Sequence, residues 1–180
     1  MAFATHRFSE NGYHPTSVAE ITEGLGVGKG VFYWYFASKE ELFREILADA
    51  QRDLRRRQQQ DIADAGAPLE RIELGLRASM RWSAEHRDLV NLFQFAATEE
   101  RFAPSLRTGQ EVAADDAARH VKEAMAEGQI ADGDPTVLAH SMLGVAGHLA
   151  RTFIHERGDS PEAVADAAVA FCLGGLLGRR

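Results

Sequence analysis

Apolar side chains recur along this chain at intervals of three and four residues, the spacing that gathers them on one face of an α-helix. Phe43, Ile46 or Leu47, Ala50 and Leu54 form one such stripe, with Arg44, Arg52, Arg55 and Arg56 on the opposite side, read as a solvated face. Nine helices are predicted, near residues 1–11, 17–24, 28–35, 38–63, 68–85, 88–98, 104–127, 134–157 and 160–177. The punctuation agrees. Pro68, Pro104, Pro135 and Pro161 each open a run of helix formers, where a missing N–H has no intrahelical partner to lose. Asp134 and Ser160 stand one residue earlier, as caps. Gly12, Gly24, Gly66, Gly128 and Gly158 follow stretches that read as helix ends. Val31–Phe36 has strand-like propensity, but the short helical pieces around it favour helix. The expected fold class is all-α, with short helices and tight turns over residues 1–45 and long helices over 46–180.

Residues 16–36, TSVAEITEGLGVGKGVFYWYF, hold the densest local signal. Ser17 and Glu20 read as a capping box. Gly26 supplies the positive φ of a sharp bend, and Val27 is expected to point inward. Two short helices joined by a glycine turn make a helix-turn-helix. The alternating glycines with Lys29 are not a phosphate loop. A Walker loop needs glycine at position 23, which is Glu, and Ser or Thr at position 30, which is Gly.

Five aromatics in a row, Phe32 to Phe36, are a third of the fifteen in the chain. At 100° per residue Phe32 and Phe36 share a face. These two carry no polar atom and belong against a core, while Gly30, Val31, Trp34 and Tyr35 fall on the far side and Tyr33 flanks the core face beside Lys29. An aromatic run serving only as core would favour Phe, Leu and Ile throughout. The outward Tyr and Trp offer one donor each and a flat apolar face, suited to phosphates, sugars and thymine methyls. Ser38 and Glu41 make a second capping box, with Lys39 in the first turn of the next helix. A cation is slightly unfavourable there unless a phosphate sits beside it.

Charge changes this picture little. The net charge is −7, and residues 1–57 carry eight basic and eight acidic side chains, so the aromatic region is neutral rather than basic. No apolar run approaches the ~20 residues of a membrane span, and the N-terminus lacks a secretion signal. The single cysteine, Cys172, sits in AVAFCLGG and reads as a small packed hydrophobe; a cytoplasmic location is expected.

The stretch GYHPTSVAEITEGLGVGKGVFYWYFASKEELF resembles the DNA-binding domain of the tetracycline-repressor (TetR) family over about residues 3–47. The resemblance implies a homodimeric regulator of transcription whose helix at 28–35 enters the major groove of double-stranded DNA at a palindromic operator. It places Lys29, Gly30, Val31, Tyr33, Trp34 and Tyr35 at base- and phosphate-contacting positions, and Thr16, Ser17 and Lys39 at backbone-clamping positions. Three features depart from the family pattern. Gly28 replaces a capping Ser or Thr, Val31 replaces a hydroxyl residue, and the first helix starts late, so that it is short or its beginning lies upstream. The domains implied are 1–45 for DNA binding and 46–180 for ligand binding and dimerisation.

The helices near 134–157 and 160–177 are rich in Ala and Gly, which allows close approach either within one subunit or, as in the family, across a four-helix dimer interface. A small, partly apolar effector is expected among the helices starting near 68, 88, 104 and 134. Met80, Trp82, Phe93, Phe95, Met125 and Met142 are its candidate walls, although helical spacing alone favours them as core. His140, His148 and His155 lie near one face, but spacings of seven and eight residues exceed one metal shell, and no metal or cofactor is expected. His120 and Glu123 read as an exposed pair. The expected function is a ligand-responsive repressor rather than an enzyme. A helical-bundle enzyme, or a regulator controlled by a protein partner, are the alternatives.

Overall fold

The computed structural model describes residues 1–176. Nine α-helices lie among the described residues: α1 Ala2–Asn11, α2 Val18–Gly24, α3 Lys29–Tyr35, α4 Lys39–Ile62, α5 Pro68–Glu85, α6 Arg87–Thr98, α7 Ala103–Ala126, α8 Pro135–Leu149 and α9 Pro161–Leu176. The π-helical segment Ala150–Glu156 continues α8. No strand occurs among the described residues, in keeping with the all-α expectation. The helix expected to end at 177 ends at the edge of what is described.

The chain divides into two compact units. The first takes Met1–Arg52 with His86–Gly109, the second Asp53–Glu85 with Gln110–Arg180. The expected division at 45/46 differs, because α6 and the start of α7 belong with the N-terminal helices. The reason is aromatic. Phe43 is fully buried, with the rings of Phe8, Tyr13, Phe95 and Phe102 at centroid distances of 5.4, 4.9, 5.8 and 4.5 Å. Phe95 and Phe102 lie beyond any N-terminal motif, so no local pattern reveals them as partners. Leu92, Ala96 and Leu106 join the same cluster.

Within this unit α2 begins at Ser17, whose Oγ accepts from Glu20 N–H at 3.1 Å. The Glu20 carboxylate is in turn held by the Ser17 backbone, the other half of the expected capping box, and it also accepts from Arg7 Nε at 2.9 Å and from Asn11 at 3.2 Å, tying α1 to α2. The bend after α2 uses the positive φ of Gly26, at 67°. Gly24 keeps a negative φ, and its lack of a side chain makes room for the Phe3 ring. Past the bend Val27 turns outward, against expectation.

In the second unit the small faces of α8 and α9 close on α5. Ala146, Ala165 and Ala168 are buried beside Ile72, Leu76 and Met80. Asp134 caps α8, accepting from the Thr136 and Val137 N–H groups at 2.9 and 3.2 Å. The π segment changes the angular register after residue 150, which separates the three histidines. His140 and His148 are exposed, while His155 is buried with Nε2 at 2.8 Å from Ser83 Oγ.

Phe43→Ala is expected to destabilise the protein by about 3–5 kcal/mol, the usual cost of emptying a fully packed phenylalanine site, and urea unfolding measures it. Arg7 first, then the Asn11 and Ser17 contacts, hold the Glu20 carboxyl below its ordinary pKa. A depressed carboxyl adds stability above its unfolded pKa, and the contribution disappears as pH falls through the folded value. The unfolding midpoint of Glu20→Gln is therefore expected to lie below wild type at neutral pH and to converge with it below about pH 4.

Candidate nucleic-acid interface

The seven-residue helix α3 sorts its side chains as the sequence predicts. Phe32 is buried in the cluster around Phe43, and Phe36 packs against it with ring centroids 5.7 Å apart. The outer side is open: Val31 is 46% exposed, Tyr33 56%, Trp34 79% and Tyr35 64%. Lys29 and Gly30 are exposed beside them, and a Cβ at Gly30 would meet nothing within 4 Å. The Trp34 and Tyr35 rings meet edge to face at 4.9 Å, so two aromatic planes stand next to each other on the open surface. Gly28 caps the helix without any side-chain hydrogen bond, which leaves the first N–H groups of α3 free of side-chain caps. Leu25 and Val27 extend the apolar, solvent-facing surface into the turn.

Two of the expected clamp residues are employed elsewhere. Thr16 is fully buried, and its hydroxyl donates to the Gly12 carbonyl at 2.8 Å, so its side chain is not offered to a phosphate. The Lys39 ammonium donates to the carbonyls of Tyr13 and Thr16, both at 2.8 Å, and of His14 at 3.3 Å. It also lies 4.3 Å from the centre of the Tyr13 ring. Burial, followed by the charge of Arg101, pushes the Lys39 pKa down. Lys39 therefore holds the turn between α1 and α2 in place. Ser17 is exposed at the start of α2, although its Oγ already caps that helix. At the start of α4, Ser38 Oγ accepts from Glu41 N–H and the Glu41 carboxylate accepts from Ala37 N–H at 2.5 Å, which completes the expected box one residue early.

In the second unit a cavity of about 210 Å³ opens among α4, α5, α7 and α8. Of the six expected walls only Met142 lines it. Met80 and Met125 belong to the main core. Phe93 and Phe95 pack in the aromatic cluster of the other unit. Trp82 is buried with its indole N–H donating to Asp53 at 2.7 Å. The wall is more polar than expected: Arg55, Arg71, Arg119, His120 and Asp116 share it with Ile72, Leu76 and Leu143. His120, expected to be exposed, is partly buried there. Arg55 leaves the solvated face assigned to it and pairs with Asp116 at 3.1 Å. A helical repeat does not distinguish an arginine facing a cavity from one facing water.

Residues 2–46 match the family of bacterial regulatory proteins named for tetR, and residues 65–176 match its tetracycline-repressor-like C-terminal domain. The chain belongs to the TetR family. It is a helix-turn-helix regulator of transcription, and regulators of this family bind DNA and dimerise. Its sequence is 25% identical to YdgC, an uncharacterised HTH-type transcriptional regulator of Bacillus subtilis, over 97% of this chain and 89% of that one. It is 36% identical to KstR2, an HTH-type transcriptional repressor of Mycobacterium tuberculosis, over 52% of this chain and 47% of the relative. Among solved structures, a TetR/AcrR-family regulator from Thermobifida fusca superposes with a TM-score of 0.77 at 28% identity, covering 99% of this chain and 96% of the other.

No helix among the described residues of this TetR-family chain is long and apolar enough to cross a membrane. For Lys39, the three carbonyl contacts set the expectation. Lys39→Met keeps the stem but removes the ammonium, and is expected to lower stability by about 1.5–3 kcal/mol, the range for hydrogen bonds to a charged group. A thermal or urea midpoint equal to wild type would show that the turn is held without it.

Proposed function

We propose that α3 is inserted into the major groove of an operator, with Lys29, Gly30, Val31, Tyr33, Trp34 and Tyr35 meeting bases and phosphates. The observation that carries this is the split of the helix: Phe32 anchored in the core while the Tyr and Trp side chains stand in solvent. Exposed aromatics of this size are costly to leave in water unless something covers them. The Gly30 backbone allows close approach, and Val31 presents methyls where a thymine methyl would lie. Ser17 and the N–H groups at the starts of α2 and α4 supply phosphate contacts. Lys39 and Thr16 act by fixing the turn that positions α2, not by touching DNA.

Two half-sites require two copies of the chain. The outer faces of α8 and α9 support a homodimer through these helices. Ala163, Ala167, Ala170 and Gly174 are exposed along α9, with Phe171 at 68% exposed and Val137 of α8 at 58%. We read the division of labour as DNA recognition over residues 1–45 and ligand binding with dimerisation beyond, in a cytoplasmic repressor whose effector occupies the cavity of the second unit. An effector releases DNA only if it binds more tightly to the state that the operator disfavours. The continuous helix α4, from Lys39 to Ile62, contributes to both units.

The test is fluorescence anisotropy with the duplex upstream of the protein's own gene, a scrambled duplex alongside, over a range of salt. Sequence-dependent binding with a steep salt slope is expected. Tyr33→Ala and Trp34→Ala are each expected to weaken that binding by about 1–3 kcal/mol, roughly tenfold to a hundredfold. Both positions are exposed, so the unfolding midpoint should move by no more than about 0.5 kcal/mol equivalent. Wild-type affinity in both variants would overturn the placement of α3.

A further inference from the structure

A side chain reads sequence in the major groove by hydrogen bonds to base edges or by apolar contact with the thymine methyl. The first means is nearly absent from this surface. Residues 25–35, LGVGKGVFYWY, hold no Arg, Asn, Gln, Asp or Glu. The groups that grip one guanine or adenine at two points, or that accept from the cytosine amino group, are therefore missing from α3 and from the turn before it. What remains is the Lys29 ammonium, the hydroxyls of Tyr33 and Tyr35, and the indole N–H of Trp34. A lone donor is met by guanine N7 and O6, adenine N7 and thymine O4 alike, and a hydroxyl can also accept. None of these groups tells one base from another.

Their placement on the helix points the same way. With Phe32 and Phe36 on the core side, Gly30, Val31 and Trp34 point most directly away from it. Lys29 and Tyr33 lie on one flank, and Tyr35 at the opposite edge. The polar tips thus stand mostly toward the groove walls, where the phosphates are, and the middle of the outward face is bare backbone, two methyls and an indole. Val31 is exposed, and in a helix a β-branched side chain keeps one strongly preferred rotamer, so its methyls are in place before DNA arrives. Gly30 beside it adds no bulk, and a Cβ there would meet nothing within 4 Å. Nothing next to Val31 keeps it from a groove floor.

We propose that Val31 is the specificity-determining residue of α3 and that it selects thymine by the C5 methyl. That methyl is the one apolar group that a base edge shows in the major groove. A reader built on Arg, Asn or Gln would be indifferent to it. This inference rests on the reading of α3 as the major-groove helix and names what that helix discriminates.

The test starts with the 180-residue chain and a library of random-sequence duplexes, from which the bound fraction is selected and sequenced. Each half-site of the enriched sequence is expected to keep a T·A pair. Every thymine of that sequence is then replaced singly by deoxyuridine, which preserves the hydrogen-bonding edge and removes only the methyl. Anisotropy is expected to show at least fivefold weaker binding at one or two positions per half-site. Val31→Ala is expected to bind the thymine and uracil duplexes within twofold of each other, near the affinity of wild type for uracil. The position is exposed and alanine is the better helix former, so the unfolding midpoint should not fall. An enriched site without a fixed thymine, uracil tolerated at every position, or a fivefold preference that survives in Val31→Ala would each overturn the proposal. Two outcomes separate this inference from the reading beneath it. If Tyr33→Ala and Trp34→Ala weaken binding while uracil is tolerated throughout, this inference falls alone. If no sequence is enriched, the placement of α3 falls and this inference falls with it.

Discussion

A helix of seven residues has no stability of its own in water, because nucleation costs more than so few hydrogen bonds return. The helix α3 exists only because one side of it is buried, and everything on its open side depends on that anchor. Phe32 supplies it, by joining the cluster centred on Phe43. The cluster in turn draws on residues far apart in sequence, from Phe8 in α1 to Phe102 just before α7. Edge-to-face and tilted ring pairs interlock there, so the position of α3 follows from aromatic packing. A scaffold of this kind lets a short helix present Tyr33, Trp34 and Tyr35 to solvent without collapsing onto them.

The turn before α2 obeys a different constraint. Backbone carbonyls at residues 13–16 fall outside any helix and need donors. Lys39 meets three of them with one ammonium group, and the Thr16 hydroxyl meets the carbonyl at the end of α1. A lysine in the first turn of a helix is unfavourable in isolation. Here its charge is directed away from the helix start and onto carbonyl dipoles, which resolves the apparent conflict without a phosphate. The same cation–carbonyl contact links the start of α4 to the loop ahead of α2.

The second unit is organised by size and charge. Alanines on α8 and α9 let these helices approach α5 closely, while Ala163, Ala167, Ala170 and Gly174 of α9 stand exposed beside Phe171, and the exposed residues of α8 include Val137, His140, Ser141 and His148. Between α4, α5, α7 and α8 the packing is interrupted by long cationic side chains. Arg55 and Arg119 share Asp116 and Arg71 pairs with Glu123, so a polar end forms beside the hydrocarbon of Ile72, Leu76, Met142 and Leu143.

Helix content and most helix limits were legible in the chain, because a 3.6-residue repeat with proline, glycine and Ser or Asp caps is encoded within a few residues of where it acts. The sorting of Phe32 and Phe36 from Tyr33, Trp34 and Tyr35 was legible for the same reason, as was the positive φ of Gly26. What escaped was whatever depends on partners distant in sequence. The membership of α6 in the first unit rests on Phe95 and Phe102 meeting Phe43. The structural roles of Thr16 and Lys39 rest on where a loop's carbonyls come to lie. The cavity wall rests on which side of α5 and α7 an arginine faces once the helices have docked. Periodicity says that a residue is on a face; only packing decides what that face meets. For Met80, Phe93 and Phe95 that was core, and for Arg71 and His120 it was a cavity.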